Sequence, residues 1–267
     1  MKDWQAGSNV GNVLYIANIT GENESMNVKH FLVKTVLRGS LMFCVLALLA
    51  CFVAFSSSAA SAAPAVGFAR IIHAAPSLGN ADVFMDGMKL PASIAFGTIT
   101  AYAPIPAGAH RIQVAPADRG VGAAVVDSTV TIAPQTPYTL AALGTTATGY
   151  SLKTFVDNNL LTTGKNMAKV RVYHLSPNAG PVNVAARGRM LIGGLTYPNA
   201  SDYLTVPAGS YTFNVRATRF GATIPAQTTL RADTVTSVFA IGMLKGMPEF
   251  RFVTETIPAI PARAMAG

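Results

Sequence analysis

Cysteine and glutamate are both scarce in this chain of 267 residues. The two cysteines, Cys44 and Cys51, lie in one apolar run near the N-terminus, so the rest of the chain cannot form a disulfide. Beyond residue 63 the only glutamates are Glu249 and Glu255, and a hydrolase that relies on paired carboxylates would be hard to build near them.

Catalytic sequence motifs are absent as well. The chain has no serine within Gly-X-Ser-X-Gly, no His-Glu-X-X-His and no phosphate-binding loop that ends in Lys-Ser or Lys-Thr. Residues 120–122 form a lone Gly-X-Gly that lacks a third glycine. We therefore expect a protein that is not an enzyme and uses no cofactor. A catalytic site in a cleft between two domains is the less favoured alternative.

Residues 1–62 have the pattern of an N-terminal extension followed by a secretory signal peptide. Residues 41–55 form an uncharged apolar run, which follows basic residues and precedes a series of small residues. The pattern predicts an apolar signal helix with cleavage between Ala62 and Ala63. Extended through Ala63, the same run would be long enough to span a membrane, so an uncleaved anchor is the alternative.

Two positions in this leader leave further alternatives open. Cys51 follows Leu-Leu-Ala at 48–50, which resembles a lipobox, where the cysteine is acylated. The apolar run continues past Cys51, however, and this favours an ordinary signal core. Met26 opens a conventional signal peptide and is expected to be the true start, with Met1 as the alternative.

The remainder of the chain contains one pattern twice. Residues 69–76, ARIIHAAP, return as residues 170–177, VRVYHLSP, and Pro-Ala-Gly at 106–108 returns at 207–209. The offset is 101 residues in both cases, which indicates two tandem copies of one domain. Near the ends of the copies the offset is 98, which predicts a three-residue loss in the loop around 118–124. The repeated landmarks are His73, Pro76, Pro106 and Gly108, with their counterparts His174, Pro177, Pro207 and Gly209.

Within each copy, apolar and polar residues alternate in short runs separated by turn residues. No stretch beyond residue 63 has the spacing of a capped helix. The pattern predicts an all-β protein with two tandem antiparallel β-sandwich domains, immunoglobulin-like or transthyretin-like, of about seven strands each. The predicted boundaries are a first sandwich at 68–156, a linker at 157–168, a second sandwich at 169–255 and a tail at 256–267.

These motifs resemble those of the bacterial domain of unknown function family 4397. His-Ala-Ala-Pro at 73–76, Ala-Asp-Val-Phe-Met-Asp-Gly at 81–87 and Pro-Ala-Gly at 106–108 are similar to its His-Ala-Ser-Pro, Val-Asp-Val-Tyr-Val-Asp-Gly and Val-Pro-Ala-Gly. The second copy departs from the pattern, with Asn183 at the place of Asp82. The resemblance implies an exported, often tandem, immunoglobulin-like or transthyretin-like sandwich and no known reaction.

The two repeated histidines are the natural candidates for a metal site. His73 has Asp82 in its copy, whereas His174 has Asn183, and a metal would need more ligands than these. We therefore expect no metal. Each histidine is instead expected to end the first strand and to hydrogen-bond the following loop, and Asp82 is expected at a solvated strand edge.

Charge and unrepeated aromatic residues bear on function. Beyond residue 63 there are 16 basic and 9 acidic residues, but the basic residues are scattered, which argues against nucleic-acid binding.

The leading hypothesis is an exported, non-enzymatic cell-envelope protein, structural or adhesive, in the periplasm, at the cell surface or outside the cell. Its partners would be envelope polymers or other surface proteins, with membrane contact only through the leader. The alternative is a carbohydrate- or peptide-binding module, for which Tyr197 and Phe220 are the candidate ligand-loop residues.

Overall fold

The computed structural model describes residues 65–160 and 166–259. Their regular structure is strand, apart from a short 3-10 turn at Val121–Ala123. Among these residues there is no helix with the length and apolar character needed to cross a membrane. The all-β prediction is therefore confirmed for the part of the chain described.

Every prediction on the leader falls outside the described residues. These predictions are the signal helix around 41–55, the lipidation of Cys51, the cleavage between Ala62 and Ala63, and the choice between Met1 and Met26.

Each repeat is built from two sheets. The strands of the first repeat are β1 (Val66–His73), β2 (Ala81–Met85), β3 (Met88–Lys89), β4 (Ala103–Pro106), β5 (Gly108–Pro116), β6 (Val126–Ile132), β7 (Pro137–Thr145) and β8 (Gly149–Val156). Those of the second are β9 (Met167–His174), β10 (Val182–Ala186), β11 (Arg189–Leu195), β12 (Asn199–Ala200), β13 (Leu204–Pro207), β14 (Gly209–Ala217), β15 (Ala222–Leu230), β16 (Thr234–Ile241) and β17 (Arg251–Pro258).

One sheet of each repeat faces the other repeat, and we call these two the inner sheets. Their strand orders are β4-β1-β7-β8 and β12-β9-β16-β17, with β13 also paired to β9. The outer sheets have the orders β3-β2-β5-β6 and β11-β10-β14-β15. Each inner sheet packs on the outer sheet of its own repeat, which gives each sandwich its own apolar core.

A third apolar layer joins the two inner sheets, so that four sheets form one stack. We call it the junction layer. Its buried members come from both repeats: Ile72, Ala74, Ala141, Leu143 and Phe155 from the first, and Tyr173, Leu175, Phe239 and Ile241 from the second. The inner sheets are thus covered on both faces.

The two kinds of sheet have different sequence patterns. In β7 nearly every residue is buried, and the strand reads as a continuous run of apolar and small residues. In β14, by contrast, buried and exposed residues alternate, with Phe213 and Val215 inside and Arg216 outside. Continuous burial in an inner strand and alternation in an outer strand are what a sheet with two covered faces and a sheet with one covered face require.

The repeated Pro-Ala-Gly segments are the corners at which the chain changes sheets. Pro106 ends β4, which pairs with β1 in the inner sheet, and Gly108 begins β5, which pairs with β6 in the outer sheet. Gly108 has φ of 139° and its counterpart Gly209 has φ of 144°, values that favour glycine. The motif therefore has a structural role in both copies, with Pro207 and Gly209 at the second corner.

The prediction of wholly antiparallel sheets is wrong for one pair of strands in each repeat. β1 runs parallel to β7, and β9 runs parallel to β16. Periodicity cannot distinguish the two pairings because side chains alternate in the same way in both. The long connection from β1 to β7, which crosses the outer sheet, supplies the crossover that a parallel pair needs.

Two predicted boundaries also need correction. The second sandwich begins at Met167 rather than 169, and β17 continues through Thr256–Pro258, which the prediction gave to the tail. The predicted loss of three residues is confirmed by register. Residues 115–125 separate the paired Val114 and Val126, whereas only residues 216–223 separate the equivalent pair Val215 and Ile224, three residues fewer.

Candidate functional site

A buried carboxylate lies at one end of the junction layer. The side chain of Asp157 is fully buried and follows directly after β8. It accepts hydrogen bonds from the hydroxyl groups of Tyr102 at 2.7 Å, Tyr173 and Thr139. The guanidinium of Arg171 also donates to it, at 3.1 Å. Asp157 therefore joins groups from both repeats at one point.

Arg70 is the second buried charge of this cluster, and only 1% of its surface is exposed. Its guanidinium donates to Thr139 at 2.9 Å, to Ser237 at 2.7 Å and to the carboxylate of Glu255. It lies 3.9 Å from the carboxylate of Asp157. Arg70 thus ties its own repeat to β16 and β17 of the other.

We call Arg70, Asp157, Arg171 and Glu255 the junction cluster. Two positive and two negative side chains give it no net charge, which is the condition under which buried ions are tolerated. Burial, followed by the charge of Asp157, raises the pKa of both Tyr102 and Tyr173 well above the ordinary value for tyrosine. Both hydroxyl groups therefore remain protonated and act as donors at neutral pH.

A groove of about 610 Å³ opens above the junction cluster. Its walls are mainly apolar, and Val156 and Phe68 on them are 59% and 36% exposed. The residues that line it come from both repeats: Phe68, Ala101, Tyr102, Gln135, Thr136, Pro137, Val156, Asp157, Asn158, Asn159, Leu160, Glu255, Ile257 and Pro258. A concave apolar surface with a few polar groups at its floor is typical of a ligand site.

Both carboxylates of the junction cluster are already paired with donors. The carboxylate of Asp157 is enclosed by donors, and that of Glu255 is paired with Arg70. Neither carboxylate is therefore positioned as a free general base. Among residues 65–160 and 166–259 there is no cluster of three or more histidine, cysteine, aspartate or glutamate side chains that could hold a metal.

The two repeated histidines lie at the ends of equivalent strands, outside the groove. His73 ends β1 and its Nε2 lies 2.6 Å from the carbonyl oxygen of Gly79; His174 ends β9 and its Nε2 lies 2.7 Å from that of Gly180. Both are fully buried, and burial lowers the pKa of each imidazole. Pro76 and Pro177 lie in the loops that these hydrogen bonds close.

The structure does not bring Tyr197 and Phe220 together. Tyr197 lies between β11 and β12 and packs against the junction layer, where burial raises its pKa. Phe220 lies in the turn between β14 and β15, with Lys245 5.2 Å from its ring centroid. The two residues expected to form a ligand loop therefore occupy separate parts of the second repeat.

Sequence reasoning missed the residues of the junction cluster, although one signal was present. Arg70 and Tyr102 return as Arg171 and Tyr203 at the same offset of 101. In both copies the guanidinium lies over the tyrosine ring, at 4.7 Å and 4.9 Å from its centroid. A repeated arginine inside an apolar strand was therefore the available clue. Asp157 gave no such signal, because it lies among polar residues of the predicted linker.

Comparison with known proteins bears on the family. The family model described as Domain of unknown function (DUF4397) matches residues 67–185 and 168–265. No curated protein is similar enough to count as a relative of this chain.

Two solved structures show weak likeness. The Bacillus anthracis TIE protein is 10% identical with a TM-score of 0.21, over 73% of this chain and 44% of that one. A Bacteroides ovatus protein described as a candidate adhesin is 8% identical with a TM-score of 0.17, over 71% of this chain and 95% of that one. The chain thus spans less than half of the TIE protein, and scores this low establish neither a shared fold nor a shared function.

Proposed function

Since the chain belongs to the DUF4397 family and carries its domain in two tandem copies, we propose that it is an exported, non-enzymatic protein of the bacterial cell envelope with an adhesive role. Its partners would be envelope polymers. Export is supported by the signal-like pattern of the leader.

The observation that carries the proposal is the exposed face of β14 and β15. Four cross-strand pairs point away from the core there: Ser210 with Thr229, Thr212 with Gln227, Asn214 with Pro225, and Arg216 with Thr223. Seven of these eight side chains are uncharged, and most carry a hydroxyl or amide. A regular two-stranded surface of this kind can donate and accept hydrogen bonds along a polymer chain.

The same face of the first repeat is different. In β5 and β6, Arg111 pairs with Asp127 on the exposed surface, so the charged groups there bind each other. The second repeat is therefore the better binding surface, and the first repeat supplies a natural control. The junction layer, which holds both repeats in one stack, supports a load-bearing role.

Co-sedimentation with isolated cell-wall polymer tests the proposal. A Thr212→Glu, Gln227→Glu variant places two like charges on a cross-strand pair, and binding should fall at least about tenfold, equivalent to about 1.4 kcal/mol. The matched control is Thr129→Glu on the exposed face of β6. We expect the control to bind like the unchanged protein. Equal losses in both variants, or no binding by the unchanged protein, would overturn the adhesive role.

A second candidate function is peptide or carbohydrate binding in the groove above the junction cluster. It is favoured by the volume and apolar walls of that groove. A Phe68→Ala variant should then lose affinity for the ligand without losing adhesion through β14 and β15. Isothermal titration with short peptides and oligosaccharides measures this, and an unchanged affinity would eliminate the groove as the site.

A further inference from the structure

Charge is divided unevenly between the two copies. Residues 65–160 include five basic and five acidic side chains, whereas residues 166–259 include nine basic and four acidic ones. With histidine neutral, the described part of the second copy therefore has a formal net charge of +5, nine minus four, and that of the first has none. An anionic partner is attracted to the second copy and not to the first.

Ion pairing increases this difference on the outer sheets. In the first repeat Lys89 pairs with Asp82 at 2.8 Å, and Arg111 pairs with Asp127 at 2.8 Å. In the second repeat three arginines belong to the outer sheet or to the segments that adjoin its strands, Arg187, Arg216 and Arg231. Within the described ranges 65–160 and 166–259 none of these three forms an ion pair. Their guanidinium groups can therefore bind anionic groups from outside the chain.

Two of these arginines mark the ends of the exposed face of β14 and β15. Arg216 pairs with Thr223 at one end, and its side chain is exposed. Arg231 follows Leu230, the last residue of β15, and continues the alternation of buried and exposed side chains along that strand. From Thr223 to Arg231 the chain covers roughly 25 Å, at about 3.3 Å per residue. A polar face of this length with a cation at each end suits an extended chain that carries anionic groups.

The equivalent positions of the first repeat carry no cation. The offset of 101 makes Ala115 the counterpart of Arg216, and the later offset of 98 makes Ala133 the counterpart of Arg231. Ala115 is also fully buried, and the 3-10 turn at Val121–Ala123 packs against β5 beside it. The shorter connection between β14 and β15 leaves Arg216 exposed. The loss of three residues and the arginine therefore occur at the same end of the face.

The third arginine replaces an acidic residue. Arg187 lies in the turn between β10 and β11, and its guanidinium lies 4.2 Å from the ring centroid of Tyr211. Tyr211 stands between Ser210 and Thr212, whose side chains belong to the exposed face. The counterpart of Arg187 in the first repeat is Asp86. The charge beside the face is thus reversed between the copies.

We propose that the exposed face of β14 and β15 binds an acidic polysaccharide, with Arg216 and Arg231 pairing with its carboxylate groups. The inference rests on the adhesive function proposed above and names the chemical class of the polymer. Hydroxyl and amide side chains along the face match the hydroxyl groups of sugars. The planar guanidinium of arginine forms two parallel hydrogen bonds with a carboxylate. Arg187 adds attraction that salt screens.

Titration of the full chain with polygalacturonate, an acidic polysaccharide, and with dextran, a neutral one, tests this at low ionic strength. The unchanged protein should bind polygalacturonate at least about tenfold more tightly than dextran. An Arg216→Gln, Arg231→Gln variant should lose at least about tenfold in affinity for polygalacturonate, because two charge-assisted contacts are removed. The matched control is Arg119→Gln, Lys153→Gln, which removes the same charge from the first repeat. We expect this control to bind like the unchanged protein.

Three results would overturn the acidic polysaccharide. They are equal losses in the two variants, equal binding of polygalacturonate and dextran by the unchanged protein, and tighter binding of a single-stranded DNA oligonucleotide than of polygalacturonate. Co-sedimentation with isolated cell-wall polymer separates this failure from failure of the adhesive role. If the Arg216→Gln, Arg231→Gln variant sediments fully while the Thr212→Glu, Gln227→Glu variant does not, only the acidic class is eliminated. If the unchanged protein does not sediment, both proposals fail.

Discussion

The two repeats have matching cores but unequal junction faces. In the cores, equivalent positions have similar sizes, as with Val83 and Val184 or Val114 and Val215. At three equivalent positions of the junction faces the second repeat has the larger side chain: Tyr173 against Ile72, Leu175 against Ala74, and Phe239 against Ala141.

This difference shows how two copies of one domain become partners. Two identical faces of large side chains would collide, and two identical faces of small ones would leave cavities, and both arrangements are unfavourable. Large residues on one copy against small residues on the other fill the layer at normal packing density. The cores, which pack only against their own outer sheets, had no reason to diverge in this way.

The two acidic side chains of the junction cluster are also unequal, because Asp157 of the first repeat is fully buried and Glu255 of the second is partly exposed. We expect the largest mutational effect at Asp157. Asp157→Ala leaves both arginines without their shared partner and should lower the free energy of unfolding by roughly 3–5 kcal/mol. Glu255 is 24% exposed in its side chain and, among the residues that the structure describes, forms a side-chain hydrogen bond only with Arg70, so Glu255→Ala should cost only about 1–2 kcal/mol. Urea denaturation followed by circular dichroism measures both variants. Equal losses would show that the cluster does not depend on Asp157.

The next largest loss of stability is expected where a large side chain of the second repeat packs in the junction layer opposite smaller ones of the first. Phe239 is fully buried and stacks on Tyr173 with ring centroids 4.5 Å apart. Phe239→Ala should lower the free energy of unfolding by about 3–4 kcal/mol. The counterpart change Ala141→Gly should cost less than about 1 kcal/mol. If the two variants unfold at the same urea concentration, the junction layer does not hold the repeats together.

The smallest expected effect is the pH dependence of stability that comes from the two buried histidines. Burial lowers the pKa of His73 and His174, so the unfolded chain binds protons at a higher pH than the folded chain does. Stability should therefore be complete above about pH 6.5 and should fall as the pH drops below it, by up to about 1.4 kcal/mol per pH unit for each histidine. His110 has the opposite sign, because its hydrogen bond with Asp86 raises its pKa.

Single His73→Gln and His174→Gln variants divide this pH dependence between the copies. Each variant should lose about half of the slope between pH 7 and pH 5.5, measured by urea denaturation at each pH. The two should differ in cost at pH 7.5. The Nδ1 of His73 accepts from Ala75 at 3.3 Å, whereas the Nδ1 of His174 has no partner among the described residues. His174→Gln should therefore be the milder change. The reverse order would show that the hydrogen bond from Ala75 to His73 does not stabilise its loop.

The features that the sequence predicted correctly depend on residues that are close together in the chain. The alternation in β14 predicted that Phe213 and Val215 would be buried, and the landmarks at an offset of 101 predicted two copies of one family domain. Local patterns carry this information because strand periodicity and turn residues act within a few positions.

What the sequence did not predict depends on distant partners. Asp157 lies among linker residues, yet it is buried because Arg70 and Arg171 converge on it from two repeats. Asp82 was expected at a solvated edge, and this was wrong. Its side chain is buried, and it accepts from the N–H of Asp118 at 3.0 Å and pairs with Lys89 at 2.8 Å. The pattern of residues along one sequence cannot show which distant donors will form hydrogen bonds with a carboxylate.

The coverage of both inner sheets has a consequence for how such genes can change. A gene fragment that encoded one repeat alone would yield a sheet with a bare nonpolar side, including Ile72 and Leu143, and such a product would aggregate or be degraded. We therefore expect a change that removes one repeat to be tolerated only where another surface covers this face.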